Sequence, residues 1–144
     1  MHNYGYACIN MGFSSRPKSQ RITTNRTMIR RTFDERGIEY ASELALQNLR
    51  DLRTILEWNL ENDIYFYRLS SDIIPWASEY SLEQMPNYGA IHAAALSAGN
   101  FARQHNMRLT SHPGPFNKLA SPKERVFQLT KTDLSVHGDL FDLI

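Results

Sequence analysis

The feature that most constrains this chain is a repeated switch between short β-like runs and long helix-like runs. Tyr4 to Asn10 is short, aromatic-rich and contains Gly5, and reads as a first strand. Met11 to Arg36 is a long, polar, basic connection ending at Gly37. A loop of that length in a compact domain is usually functional or disordered. Glu39 to Leu60 reads as a helix: Leu44, Asn48, Leu52, Ile55 and Leu56 recur at helical spacing, and Leu49 and Leu60 widen the stripe. Ile64 to Leu69 is β-branched and aromatic, the pattern of a buried strand. Pro75 and Pro86 punctuate the loop that follows. Asn87 to His105 is Ala-rich, contains Ile91, Leu96 and Phe101, and predicts a second helix. Met107 to Thr110 is a short third strand running into His112, Pro113 and Gly114. Ser121, Pro122 and Glu124 form a capping-box signature, which starts a helix over 122–143, bent near Thr130 to Thr132.

This order predicts parallel strands joined by crossover helices. Two folds accommodate it: a doubly wound sheet, or three units of a (β/α) barrel. In both, function gathers at the C-terminal ends of the strands. The polar residues that stand out fall there: Asn10 after the first strand, Arg68 to Ser71 after the second, and His112 after the third.

The 144 residues suit a single domain, 1–144, and 42% hydrophobic content is enough for a core. There is no apolar run of roughly 18 residues that would span a membrane, and MHNYGYACIN lacks the pattern of a signal peptide. Cys8 is the single cysteine, so no internal disulfide forms and a cytoplasmic setting is expected. The net charge of +1 is uninformative, but its distribution is not. No Asp or Glu precedes Asp34, whereas Arg16, Lys18, Arg21, Arg26, Arg30 and Arg31 fall in one stretch. This is either a solvated basic loop or a surface that meets phosphates.

His112 stands at a strand end beside a Pro-Gly turn, where a neutral imidazole can ligate a divalent metal or bond to backbone. His137 lies on the helical face of Val126, Thr130, Asp133, Leu134, Phe141 and Ile144, which suits a packed core histidine or an inward ligand. His2, His92 and His105 are weaker candidates. Asn10 can bond phosphate or base edges, or close a turn, and Tyr6 can stack on a base or pack in the core. Arg68, at the end of a strand read as buried, needs internal carboxylates or a phosphate as partner. There is no P-loop, nucleophile elbow, CxxC pair or HExxH.

GYACIN at 5–10, TTNRT at 23–27, NLRDLRTILEWN at 48–59 and IYFYRLSSDIIP at 64–75 resemble segments of the UV-damage DNA endonuclease family, in family order. RLTSHPGPFNKLASPKERV at 108–126 resembles its "S-H-P-G" strand end and helix start, and TDLSVHGDLFDLI at 132–144 its helix with an inward histidine. The resemblance implies the N-terminal half of a TIM-type (β/α) barrel, with only the first three β/α units present. It implies an ATP-independent DNA-repair hydrolase that nicks damaged double-stranded DNA immediately 5′ to UV photoproducts. It also implies divalent metal ions, most often manganese, two or three in the complete enzyme. His112 and His137 match metal ligands. Tyr6 and Asn10 match residues near the lesion, and Asn25 and Arg26 belong to a DNA-facing loop. Family members often carry Gln-Tyr after the Pro-Gly. Here Pro115 and Phe116 stand there, so Phe116 can still wedge or stack while the amide donors of Gln are gone. The family's other Glu, Asp and His ligands belong to later strands. The chain is therefore expected to be inactive without a complementary C-terminal half. The alternative is a non-catalytic DNA-binding remnant or a split-gene subunit. A sugar-isomerase-like barrel is a third reading, disfavoured by the basic stretch at 16–31.

Overall fold

A computed structural model describes residues 4–144. His2 lies outside the described residues. Strands β1 (Gly5–Ala7), β2 (Phe66–Leu69) and β3 (Arg108–Ser111) form one parallel sheet in the order β1-β2-β3. Gly5 pairs with Phe66, and Phe66 with Arg108, so each strand stands directly beside its sequence successor. The helices are α1 (Met11–Ser14), α2 (Arg30–Glu61), α3 (Tyr88–Gln104) and α4 (Glu124–Leu143). The β/α alternation read from the sequence is present, with three parallel strands.

Side chains alternate across a strand. Tyr67 and Leu69 of β2 are buried, whereas Arg68 between them is exposed. The buried face packs under α2 and α3, where Leu49, Leu52, Ile55 and Leu56 meet Ile91, Ala95 and Ala98 in one core. The Ile64–Leu69 run therefore reads as buried on both faces in sequence but is buried on one only. Arg68, expected at the end of a buried strand, lies on the open face instead. Its Nε donates to the Ser111 carbonyl at 3.0 Å.

Two sequence expectations are corrected. First, the connection expected to run from Met11 to Arg36 is interrupted by α1 and ends at Arg30, where α2 begins. Gly37 breaks α2 with φ 65° and ψ −162°, a left-handed turn suited to glycine, and residues 30–36 form a helical segment before it. The Arg30–Asp34 and Arg31–Glu35 pairs, each at 2.8 Å, lie along that segment, but they are exposed and screened by solvent, so they contribute little. The larger contribution is long-range: Phe33 stacks on Trp76 and on Tyr80, with ring centroids 5.5 and 6.3 Å apart.

Second, the capping box at Ser121 does not form. The helix cap is Lys123, whose own N–H donates to Ser121 Oγ at 3.2 Å, and Glu124 instead accepts from Gln128 Nε2 at 2.6 Å. Helix α4 begins two residues later than expected and runs unbroken through 130–132. Thr130 Oγ1 accepts from the Lys118 N–H at 2.9 Å, so its hydroxyl ties down the preceding loop without bending the helix. Helix α3 buries Ile91, Ala95, Ala98 and Phe101, whereas Leu96 is 41% exposed. The small side chains of Ala95 and Ala98 let α3 approach α2 closely.

Candidate functional site

Parallel strands bring their C-terminal ends to one edge of the sheet. Cys8, Arg68 and His112 arrive there from β1, β2 and β3. Cys8 continues the β1 ladder by donating its N–H to the Arg68 carbonyl at 2.8 Å, then turns sharply at φ 62°. A non-glycine residue in that region needs support from its surroundings. Here the support is a buried chain of hydroxyls. Tyr67 Oη donates to the Cys8 carbonyl at 2.9 Å, which leaves Thr24 Oγ1 as the donor in its 3.2 Å bond to Tyr67 Oη. Cys8 Sγ ends 3.1 Å from His112 Nδ1, joining residues 104 positions apart. Burial pushes the thiol of Cys8 upward in pKa, opposed by Arg68 and reinforced by Asp72. His112 and Arg68 are exposed at this edge.

His137 comes from a helix rather than from a strand end. It lies on α4, 7% exposed, and burial lowers its pKa, opposed by the carboxylates of Asp133 and Asp72. Asp133 in turn accepts a 2.5 Å bond from Asn117 Nδ2, just beyond Phe116. A cleft of about 400 Å³ lies beside them, lined in part by Asp72, Phe116, Asn117 and Asp133. Phe116 stands on its rim, 86% exposed. Among the described residues, no group of three or more His, Cys, Asp or Glu side chains is placed to hold a metal ion. The described part of the chain therefore does not by itself fit the expected metal cluster.

The remaining candidates are committed to internal bonds. Tyr6 pairs in register with Tyr67 and meets its ring edge-on at 5.1 Å, so it lies on the helix-covered face, opposite Arg68. Its hydroxyl donates to Asn59 Oδ1 at 2.7 Å and accepts from Asn10 Nδ2 at 2.9 Å. Asn10 Oδ1 caps α1 through the Phe13 N–H at 3.2 Å. Arg26 pairs with Asp51 at 2.7 Å and donates to the carbonyls of Thr23 and Arg21, each at 2.7 Å. Asn25 is half-buried, and its Oδ1 lacks a hydrogen-bond partner.

Two residues were missed as organisers. Asn48 is fully buried and bonds the Arg26 N–H, the Arg26 carbonyl and the Ile73 carbonyl at 2.9–3.0 Å. Asp51 accepts from the Thr23 N–H at 2.9 Å as well as from Arg26. Together they strap the 23–26 loop onto α2. A sequence signal existed for Asn48, since an amide on an apolar stripe must find buried partners. His92 and His105 belong to α3 and its end: His92 tilts against Tyr88, and His105 against Phe101.

Residues 2–144 match the family model described as UV-endonuclease UvdE. The chain is 35% identical over 136 residues to a UV-damage endonuclease of Schizosaccharomyces pombe, covering 94% of this chain and 22% of that protein. It is 29% identical over 134 residues to a UV DNA damage endonuclease of Clostridium perfringens, covering 93% of this chain and 32% of that one. The crystal structure of SacUVDE superposes with a TM-score of 0.84 at 26% identity, over 99% of this chain and 46% of that chain. The chain thus spans less than half the length of each of these proteins.

Proposed function

Because the chain belongs to the UV-endonuclease UvdE family, we propose that it forms the N-terminal three β/α units of a TIM-type barrel DNA-repair endonuclease. That enzyme nicks damaged duplex DNA 5′ to UV photoproducts by metal-dependent, ATP-independent hydrolysis. The observation that carries the reading is the meeting of Cys8, Arg68 and His112 at one edge of a parallel sheet, where such folds place their chemistry.

The reading gives the chain's residues distinct tasks. Arg68 keeps two guanidinium nitrogens beyond its bond to Ser111 and neutralises a phosphate. Phe116, exposed on its cleft rim, stacks on or wedges beside an unstacked base. A dimerised pyrimidine pair stacks poorly, so displacing it costs less than displacing normal bases. Exposed Arg16, Lys18 and Arg21 attract the backbone, which makes binding salt-dependent. Tyr6, Asn10 and Arg26 serve the DNA surface through the loops they hold, and Asn25 belongs to the same DNA-facing loop as Arg26, its own amide oxygen buried. In the complete enzyme His112 and His137 would be donors to a divalent ion, manganese in this reading, with the carboxylate and further histidine donors supplied by the rest of that enzyme. His137, buried among α4 neighbours, is the less accessible of the two histidines assigned to metal. No hydrolytic step is assigned to the chain alone.

The absence of a metal-holding group among the described residues favours, as second reading, a chain that binds DNA without cutting it. A gel-shift and nicking assay with one pyrimidine dimer in a duplex separates the two. The proposal expects tighter binding to the dimer-containing duplex than to its undamaged counterpart, weakened by salt and by Arg68→Ala. Adding the C-terminal portion of a full-length relative as a second polypeptide, with manganese, is expected to give nicking on the 5′ side. Equal binding to both duplexes, with no nicking on complementation, leaves the non-catalytic reading, and failure to bind DNA removes both.

A further inference from the structure

The sulfur of Cys8 meets the imidazole of His112 at the functional edge, and the reading above gives the cysteine no task of its own. We propose that Cys8 is a positioning residue for His112: its sulfur accepts a hydrogen bond from Nδ1–H, fixing the ring and leaving the Nε2 lone pair for an incoming electron-pair acceptor. The inference rests on the reading above only in taking His112 as a functional side chain.

Proton bookkeeping selects the direction of this bond. Cys8 Sγ has two neighbours, His112 Nδ1 at 3.1 Å and the Leu69 carbonyl at 4.0 Å. The carbonyl can only accept, whereas a neutral imidazole carries one N–H and can donate. One arrangement engages all three groups: S–H directed at the Leu69 carbonyl, and Nδ1–H directed at sulfur. In the reverse arrangement the thiol proton goes to Nδ1 and the Leu69 carbonyl receives nothing from the thiol. The remaining ring proton would then sit on Nε2, making His112 a donor toward phosphate. The two arrangements therefore give the exposed histidine opposite chemistry, acceptor or donor. Histidines that act as ligands characteristically donate their other ring N–H to a neighbouring acceptor, which fixes tautomer and orientation together.

The backbone supports the assignment of a dedicated role. Cys8 is held at φ 62° by a bond at each side of its peptide unit, its N–H to the Arg68 carbonyl and its carbonyl to Tyr67 Oη. Tyr67 is 1% exposed and Thr24 is fully buried. The sulfur is therefore delivered to His112 by core residues, and its position does not depend on the exposed loop after β3.

The test is a long-range ¹H–¹⁵N correlation spectrum of the chain with ring-¹⁵N histidine, at a pH of about 8 where a free imidazole is neutral. It needs neither DNA nor metal, so its outcome is separate from that of the nicking assay. The protonated and unprotonated ring nitrogens are resolved by chemical shift, and His112→Gln identifies the His112 signals. Nδ1-protonated His112 is expected in the unaltered chain. Cys8→Ala is expected to move most of the population to the Nε2-protonated form, and Cys8→Ser, which keeps an acceptor, to restore the Nδ1-protonated form in part. An Nε2-protonated ring in the unaltered chain overturns the proposal on that spectrum alone, whether or not the variants fold. A tautomer unchanged by Cys8→Ala also overturns it, because a merely structural cysteine would leave the ring as it was.

Discussion

On one face of the sheet, Tyr67 and Leu69 are sealed under α2 and α3 among Leu49, Leu52 and Ile91. On the other face of the same strands, Ala7, Arg68 and Arg108 are exposed, and Arg108 lies over the half-buried Phe66 ring at 5.7 Å. The covered face is apolar and its hydroxyls bond one another in a chain. The open face carries guanidinium groups with spare donors. Burial and exposure are thus divided by the pleat: neighbouring residues on one strand meet different surroundings.

That division can be broken from the covered side first. Leu52→Ala, at a fully buried position in the α2 stripe, should cost about 2–5 kcal/mol, read as a lower urea midpoint. A loss under 0.5 kcal/mol would mean that the core is far looser than its packing shows. Next in size is Asn48→Ala, which strands the Arg26 N–H and the Arg26 and Ile73 carbonyls. The expected loss is about 1–3 kcal/mol, with faster amide exchange at residues 23–27. Unchanged exchange there would refute the strap.

His137 sharpens the comparison through pH. Its folded pKa lies below the ordinary value of 6.5, chiefly because of burial. The unfolded chain then takes up a proton as pH falls through about 6.5 while the folded chain resists. Stability should be level above that pH and decline below it, until the folded pKa is reached. His137→Gln should flatten this decline in urea titrations between pH 7.5 and 5, and an equal decline in the variant would assign the effect to other groups. The smallest stability change belongs to the open face. Arg68→Ala should alter stability by less than about 0.5 kcal/mol while weakening DNA binding and its salt dependence. A large loss of stability would show that Arg68 is structural after all.

The alternation of strands and helices was legible because it is written in local periodicity: the Leu49-to-Leu56 stripe and the IYFYRL run need no knowledge of the fold. His112 and Arg68 were legible as strand-end residues for the same reason. What escaped was decided by distant partners. Arg26 reads as part of a DNA-facing loop, and its ion pair with Asp51, far along the chain, has no local signature. Ser121 reads as a cap until its hydroxyl is found serving Lys123. Residues 30–36 read as loop because Phe33 gains its stacking partners, Trp76 and Tyr80, only after the chain has returned. The Cys8–His112 contact spans 104 positions and leaves no periodic trace.

The break at Gly37 also bears on how such a chain tolerates change in length. In a continuous helix, each residue gained or lost upstream rotates everything before it by about 100° relative to the downstream stripe. At Gly37 the rotational phase is reset, so residues 30–36 and the Leu49-bearing segment are not geared together. The Phe33 platform can thus shift or lengthen without turning the core face of α2 away from the sheet. The glycine works as a clutch between a basic entrance and a helix whose orientation is fixed by the core.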